Sequence, residues 1–201
     1  MPLTNALGDF EVTDPRAMRA LAHPVRLAVM TQLQRHGPMT ATQLSDRVGA
    51  SPSVTSWHLR HLESFGLVTD AEDPGGGVDR RRRWWRAVAR GIRFDIPDGG
   101  EGQEAARLLR SQTMKQAVEY VGRWLAEVEP ALDDQWSREA GSGNTGLVLT
   151  VAEARRLERD IERLLEPYVT REGSDVPESA RAVRMLRFLL PEPTDPDRDL
   201  P

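Results

Sequence analysis

Residues 40–67 constrain the fold of this chain more than any other stretch, because they predict two short helices joined by a tight turn. The first helix is expected over Ala41–Val48, with Leu44 and Val48 one turn apart on its inner face. Gly49 follows, and a glycine just past the last apolar position can adopt the left-handed conformation that ends a helix. The chain is therefore expected to turn sharply after one short helix.

The second helix is expected over about residues 52–65, because Ser51 can cap its N-terminus and Pro52 suits its first position. Its inner face is predicted to carry Val54, Leu59, Leu62 and Phe65, and its outer face Ser53, Thr55, Ser56, Trp57 and Arg60. In DNA-binding proteins a helix pair of this kind presents its second helix to the major groove. The alternative interpretation of the same residues is an ordinary helical hairpin with no DNA contact.

The residues after this pair predict a β-hairpin, which we call the wing. A strand is expected over Leu67–Glu72, a turn at residues 73–77 and a returning strand over Arg80–Val88. The returning strand contains Arg80, Arg81, Arg82, Arg83 and Arg86, with Trp84 and Trp85 between them, one expected in the core and one outward. A run of arginines is usually a solvent-exposed face of the protein. Beside the helix pair, however, it can lie along the phosphate backbone of DNA and release the counterions bound there.

At this point the chain resembles a known family. Residues 18–30 (MRALAHPVRLAVM), residues 56–62 (SWHLRHL) and residues 66–68 (GLV) follow in order at the spacing of ArsR-type winged helix-turn-helix transcriptional regulators. The resemblance covers about residues 15–90. It implies a winged helix that binds operator DNA as a homodimer, with a repressor as the expected form, although the residues do not separate repression from activation.

The charge is divided unevenly along the chain. Residues 1–96 contain 13 basic and 10 acidic residues, a net +3, whereas residues 97–201 contain 14 and 21, a net −7. We therefore expect a DNA-binding domain over residues 1–96 and a mostly helical dimerisation and effector region over residues 97–201. The expected class is mainly α (α+β).

Composition excludes several kinds of site. The chain has no cysteine, which rules out disulfides and thiolate metal sites, and no run of 18 apolar residues that would span a membrane. No secretory signal is visible at the N-terminus, so we expect a cytoplasmic protein. A Gly-rich phosphate loop, a nucleophile elbow and a metal-ligand cluster are absent from the sequence, so no enzyme and no cofactor is predicted.

Before the helix pair, residues 1–14 are expected to form a loose arm, followed by helices over residues 15–22 and 24–36. His23-Pro24 separates these two helices, because the residue before a proline is disfavoured in a helix. A short strand at Met39-Thr40 is expected to pair with the wing.

The longest helical pattern follows a linker at residues 97–102 and covers about residues 103–129. Apolar residues alternate at spacings of three and four, which is typical of a seam between two helices. This spacing predicts a dimer seam of Met114, Ala117, Val121, Trp124 and Val128, widened by Leu108, Leu109, Val118 and Leu125. The alternative is a helix buried against its own domain.

Beyond it, residues 138–146 are expected to be a flexible connection, and a helix is expected from a Thr150 cap to about Tyr168. Residues 147–149 are a candidate strand that could pair with residues 184–190, although residues 178–190 fit a helix as well. The chain from Pro191 onward is expected to be disordered.

The predicted DNA contacts combine base reading with phosphate binding. Small polar and arginine side chains can read base edges, and helix N-termini and arginines can bind phosphates. The candidates are Thr42, Gln43, Ser51, Ser53, Thr55, Ser56, His58, Arg60, Arg80, Arg81, Arg82 and Arg83.

Two other functions stay open: a winged helix that contacts another protein, and a metal-responsive repressor. The second would use His58 and His61, which are spaced three apart on one helix. The resemblance argues against it, because the family's metal sensors use cysteines in the helix pair or Asp/His sets in the dimer helix. The expected partners are double-stranded DNA and a second copy of the chain, with an unidentified small-molecule effector left open.

Overall fold

The computed structural model describes residues 7–75, 82–97, 99–169, 171 and 175–193. Seven α-helices and five short strands are found among these residues, so the mainly α (α+β) class is confirmed. In chain order they are β1 (Asp9–Glu11), α1 (Pro15–Leu21), α2 (Pro24–His36), β2 (Met39–Thr40), α3 (Ala41–Val48), α4 (Pro52–Glu63), β3 (Val68–Ala71), β4 (Trp84–Ala87), β5 (Gly91–Arg93), α5 (Gly100–Glu127), α6 (Asp134–Glu139) and α7 (Val151–Val169).

The first four helices begin where their capping residues predict. Proline occupies the first turn of α1, α2 and α4, and each of these helices has a side chain that accepts a hydrogen bond from its first free N–H groups. Asp14 caps α1, whereas the Nδ1 atom of His23 caps α2 by accepting from Val25 N at 3.2 Å. The break at His23-Pro24 therefore ends one helix and starts the next.

The predicted wing is an antiparallel pair of strands, β3 and β4, in which Val68 lies opposite Ala87 and Ala71 opposite Trp84. Strand β2 pairs with the other edge of β4, which confirms the predicted pairing of Met39-Thr40 with the wing. Both wing strands are shorter than predicted. The tip, residues 76–81, lies outside the described residues.

The prediction of a loose N-terminal arm is wrong for residues 7–14. Strand β1 pairs in parallel with β5, and the side chains of Phe10 and Val12 are buried in the core. The partner strand lies about eighty positions further along the chain, and β1 is three residues long, so no local pattern announces it. Residues 1–6 lie outside the described residues.

The core of the N-terminal part extends onto α5. Ala105, Ala106 and Leu109 of α5 are buried with α1 residues in one apolar cluster, and Arg19 of α1 contacts Glu101 of α5 at 3.3 Å. Further along, Thr31 of α2 donates to Gln116 at 3.1 Å. One face of α5 is therefore packed against α1 and α2.

The remaining C-terminal elements were predicted only in part. Helix α7 is confirmed, and Thr150 and Glu153 form its capping box. Arg93 of β5 contacts Glu162 of α7 at 2.5 Å, and Arg90 donates to the carbonyl of Val169. Helix α6, not predicted, follows a cap at Asp133.

The two candidate strands at residues 147–149 and 184–190 are both wrong. Residues 140–150 contain no helix or strand, and the described residues 175–193, which form a second unit, contain no α-helix or strand. The predicted disordered tail falls mostly on residues 194–201, which lie outside the described residues. Among the helices that the structure describes, none is long and apolar enough to cross a membrane.

Candidate nucleic-acid interface

Helices α3 and α4 are fixed in place by the residues around their connecting turn. Thr40 and Gln43 form a capping box, in which Gln43 N donates to Thr40 Oγ1 at 3.3 Å and Thr40 N donates to Gln43 Oε1 at 2.9 Å. Gly49 adopts φ +66°, the left-handed conformation that ends α3. Ser51 then accepts a hydrogen bond from Val54 N at 3.3 Å and caps α4. Gln43 and Ser51, both predicted to contact DNA, thus also hold the helix ends.

The outer face of α4 is polar along one border. Ser53 and Arg60 are exposed, Ser56 is half-buried, and Arg60 donates to Ser56 Oγ at 2.8 Å. Thr42 is exposed at the start of α3. These predicted contact residues lie on the surface, where an approaching duplex can reach them.

Two of the predicted DNA contacts are corrected by the structure, because they lie on the inner face of α4. Thr55 is fully buried and His58 is 4% exposed, and both pack beside Leu59 and Leu62. The helix period puts residues 55, 58, 59 and 62 on one side, so the inner stripe includes two polar side chains. In this structure neither side chain can reach a ligand outside the domain.

Two residues of α4 lie further outward than their chemistry suggests. Val54, predicted to face inward, is 46% exposed, and Trp57 is 53% exposed. Neither was a candidate contact. Trp57 was expected on the outer face, whereas Val54 was assigned to the inner face although it lies about 110° round the helix from the midpoint of Leu59 and Leu62.

Three histidines and Trp57 form a ring cluster at the junction of α2 and α4. The ring of His58 lies 4.7 Å from that of His23 and 4.9 Å from that of Trp57, and Trp57 stacks on His61 at 5.6 Å. Burial lowers the pKa of His58, and the positive charges of His23, Arg26 and His61 lower it further. The cluster therefore favours neutral imidazoles near pH 7.

This ring cluster does not supply a set of metal ligands of the kind that a metal-responsive repressor would need. Among the described residues, no group of three or more His, Asp or Glu side chains is arranged to hold a metal ion. His61 faces the Trp57 ring with the two planes 5° apart.

The wing uses one of its arginines to hold itself to α4. Arg83 contacts Glu63 of α4 and Asp70 of β3, each at 2.5 Å, and its guanidinium lies 3.8 Å from the centre of the Trp85 ring. The hydrogen bond from Arg83 holds the pKa of Asp70 below its ordinary value. Arg83 was predicted to grip the DNA backbone, but in the structure its charge is already offset by two carboxylates.

The other wing predictions have different outcomes. Trp85 is buried, which confirms that one indole lies in the core, whereas Trp84 is half-buried rather than fully outward. Arg82 is exposed. Arg80 and Arg81 lie outside the described residues.

The outer face of α5 carries exposed apolar residues, and they make up only part of the predicted seam. Ala117 is buried by the chain itself and Trp124 is half-buried, whereas Val118 and Leu125 are 70% and 55% exposed. The apolar face, which we call the α5 stripe, therefore consists of the exposed Val118, Val121, Leu125 and Val128 together with the half-buried Met114. Its spacing of four and three residues still follows the pattern of helix-to-helix packing.

Residues 21–71, from the end of α1 to the end of β3, match a sequence family described as a helix-turn-helix domain. This part of the chain is similar to helix-turn-helix domains. The match covers α2, α3 and α4 together with the first wing strand, and it supports DNA-binding transcriptional regulation as the class of function. No curated protein sequence matches the chain significantly.

Several solved structures are similar to this chain at low identity. The YusO protein from Bacillus subtilis is 15% identical, with 76% of this chain and 83% of that one covered and a TM-score of 0.32. RV1404 from Mycobacterium tuberculosis is 16% identical, with 76% and 83% covered and a TM-score of 0.30. The transcriptional regulator Tm0710 from Thermotoga maritima is 14% identical, with 78% and 89% covered and a TM-score of 0.31.

Likenesses at these identities and TM-scores carry no argument about function or assembly. The assignment of the helix-turn-helix domain rests on the family match and on the elements described above. The finer resemblance to ArsR-type regulators is tested by none of these comparisons and stays a prediction.

Proposed function

We propose that the chain is a sequence-specific, DNA-binding transcriptional regulator rather than an enzyme. The observation that carries the proposal is the outer face of α4, which lies exposed on a helix-turn-helix domain and carries Ser53, Ser56 and Arg60. In such domains the second helix enters the major groove, where hydroxyl and guanidinium groups read base edges.

Phosphate contacts would come from elements on either side of α4. Thr42 and Gln43 lie at the start of α3, where the positive end of the helix dipole favours an anion, and Ser51 lies at the start of α4. On the wing, Arg80, Arg81 and Arg82 are proposed to lie along the DNA backbone. The net +3 charge of residues 1–96 supports this division of roles.

We further propose that residues 1–96 bind DNA and that residues 97–201 serve dimerisation and an effector that is still unidentified. The α5 stripe supports a homodimer, because exposed apolar residues at this spacing fit a second helix. A symmetric dimer would bind a palindromic operator in the cytoplasm, most simply as an ArsR-like repressor.

The test is selection of bound duplexes from a pool of random sequence, followed by salt titration on the enriched duplex. We expect a palindrome with half-sites about one helical turn apart and an affinity that falls steeply with salt. Arg60→Ala should weaken binding, whereas Arg123→Ala, a matched change at an exposed site on α5, should leave it nearly unchanged.

The alternative, a winged helix that contacts a protein, predicts a different outcome. In that case no sequence would be enriched, and any association with DNA would be weak and independent of sequence. Equal effects of Arg60→Ala and Arg123→Ala on DNA affinity would also contradict the proposed role of α4.

A further inference from the structure

The middle of the exposed face of α4 is occupied by an indole ring. With 3.6 residues per turn, Ser53, Trp57 and Arg60 fall on one narrow strip, and Val54 borders it. Trp57 is the largest side chain on this strip and is 53% exposed. The surface proposed to read DNA therefore has an apolar centre with polar groups beside it.

The exposed indole packs against two histidine rings, the half-buried His61 and the buried His58. One face of its ring stacks on His61 with the planes 5° apart, and its edge meets the ring of His58 at 70°. His58 is itself buried and lies against His23, which caps α2. Because the ring rests on this fixed base, little freedom is lost when its outer half is covered by a ligand.

The major groove offers one apolar group that a base carries, the 5-methyl of thymine. The hydroxyls and guanidinium beside Trp57 can satisfy nitrogen and oxygen atoms on neighbouring base edges, but an indole face gains most from covering a methyl group. Val54, 46% exposed, extends the apolar area on one side.

We propose that Trp57, assisted by Val54, determines specificity by packing on thymine 5-methyl groups in the operator. This inference rests on the proposed function, since it requires that α4 enter the major groove. Each half-site then contains at least one position where thymine is required for its methyl group rather than for its hydrogen-bonding atoms.

The test removes the methyl from the DNA and the indole from the protein. In the duplex selected by the wild-type chain, each thymine is replaced in turn by deoxyuridine, which lacks only the 5-methyl. At one or two positions per half-site we expect the affinity to fall about fourfold, the effect of one buried methyl group. Trp57→Gln should bind thymine and deoxyuridine duplexes equally at those positions, and Trp57→Phe should keep part of the preference.

Two controls separate this contact from a general loss of binding. Arg82→Ala changes a wing residue and should weaken binding to both duplexes by the same factor, leaving the ratio between them unchanged. Val176→Thr, at a valine with the same 46% exposure as Val54 but far along the chain, should alter neither affinity, whereas Val54→Thr should reduce the ratio.

Each outcome decides one proposal or both. If the wild-type chain selects a duplex but deoxyuridine has no effect at any position, the thymine inference is wrong and the proposed function stands. The same holds if Trp57→Gln keeps the full preference. If no duplex is selected at all, both are wrong. The deoxyuridine series needs only the wild-type protein, so the result does not depend on whether a variant folds.

Discussion

Helices α4 and α5 differ in how much of their apolar surface the chain itself covers. Leu59 and Leu62 of α4 are fully buried between α2, α3 and the wing, whereas Val118 and Leu125 of α5 are largely exposed. Both helices have clear apolar periodicity. The difference shows that periodicity identifies a face suited to burial but does not identify the partner that buries it.

A second contrast lies within α4 itself. Its inner face contains the polar side chains of Thr55 and His58, and its outer face contains the apolar side chains of Val54 and Trp57. A helix that followed amphipathicity alone would have these four the other way round. His58 of the inner pair contacts His23 at the start of α2, and the outer pair is the one proposed above to pack on thymine methyl groups.

The largest expected effect is the loss of a buried leucine from α4. Leu59→Ala should lower the free energy of unfolding by about 2–5 kcal/mol, because it removes apolar contacts and leaves a cavity. Leu125→Ala, the same change on the α5 stripe, should cost less than about 0.5 kcal/mol in the monomer. Urea unfolding at several protein concentrations measures both.

The concentration series also tests the interpretation of the two helices. The effect of Leu59→Ala should be the same at every concentration, and that of Leu125→Ala should grow as the chain associates. If Leu59→Ala and Leu125→Ala lowered the free energy of unfolding equally at the lowest protein concentration, the α5 stripe would be covered within one chain. The comparison between α4 and α5 would then be wrong.

The next effect concerns self-association through the α5 stripe. Leu125→Glu should weaken the dimer at least about tenfold, because a carboxylate would be buried between apolar side chains. Ala126→Glu adds the same charge one position further round the helix and is the matched control. Sedimentation equilibrium measures the dissociation constant of both. A control as disruptive as Leu125→Glu would point to net charge rather than to the stripe.

These contrasts explain which parts of the fold the sequence could predict. Helices α2 and α3 have the predicted bounds because their ends depend on local signals, such as Pro24 and the left-handed Gly49. Strand β1 was missed because it depends on a partner far along the chain. The prediction of which α4 residues face outward was only partly right, since Thr55 and His58 are buried by tertiary packing that hydropathy does not register.

The same limit applies to the candidate site. The arginines of the wing could be recognised from composition, but the ion pairs of Arg83 with Glu63 and Asp70 depend on how β3, β4 and α4 meet. Trp57 was placed on the outer face from its spacing, yet only the structure shows that His61 and His58 fix its ring.

A smaller effect is expected from the buried imidazole of α4. Because the folded state lowers the pKa of His58, the unfolded chain binds its proton more readily, and stability should fall as the pH drops below the ordinary histidine pKa of about 6.5. Each histidine held neutral contributes a slope of at most about 1.4 kcal/mol per pH unit. Unfolding measured between pH 7.5 and pH 5 should show this loss.

His58→Gln should reduce that pH dependence, since the glutamine does not titrate, but should not abolish it, because burial also lowers the pKa of His23, His36 and His61. His36→Gln removes an exposed histidine outside the ring cluster and is the comparison variant. The prediction fails if the slope of stability against pH is unchanged in His58→Gln but reduced in His36→Gln. That result would show that the buried imidazole of His58 is not the group that destabilises the protein at low pH.

The smallest expected effect separates two neighbouring arginines at the border of α4 and the wing. Arg82→Ala should reduce the slope of log affinity against log salt by about one, as the loss of one phosphate contact does. Arg83→Ala should leave that slope unchanged, because Glu63 and Asp70 already offset its charge and little counterion is released from it. Equal slopes for the two variants would mean that the ion pairs of Arg83 with Glu63 and Asp70 do not distinguish it from Arg82 in DNA binding, and the proposed difference between the two arginines would be wrong.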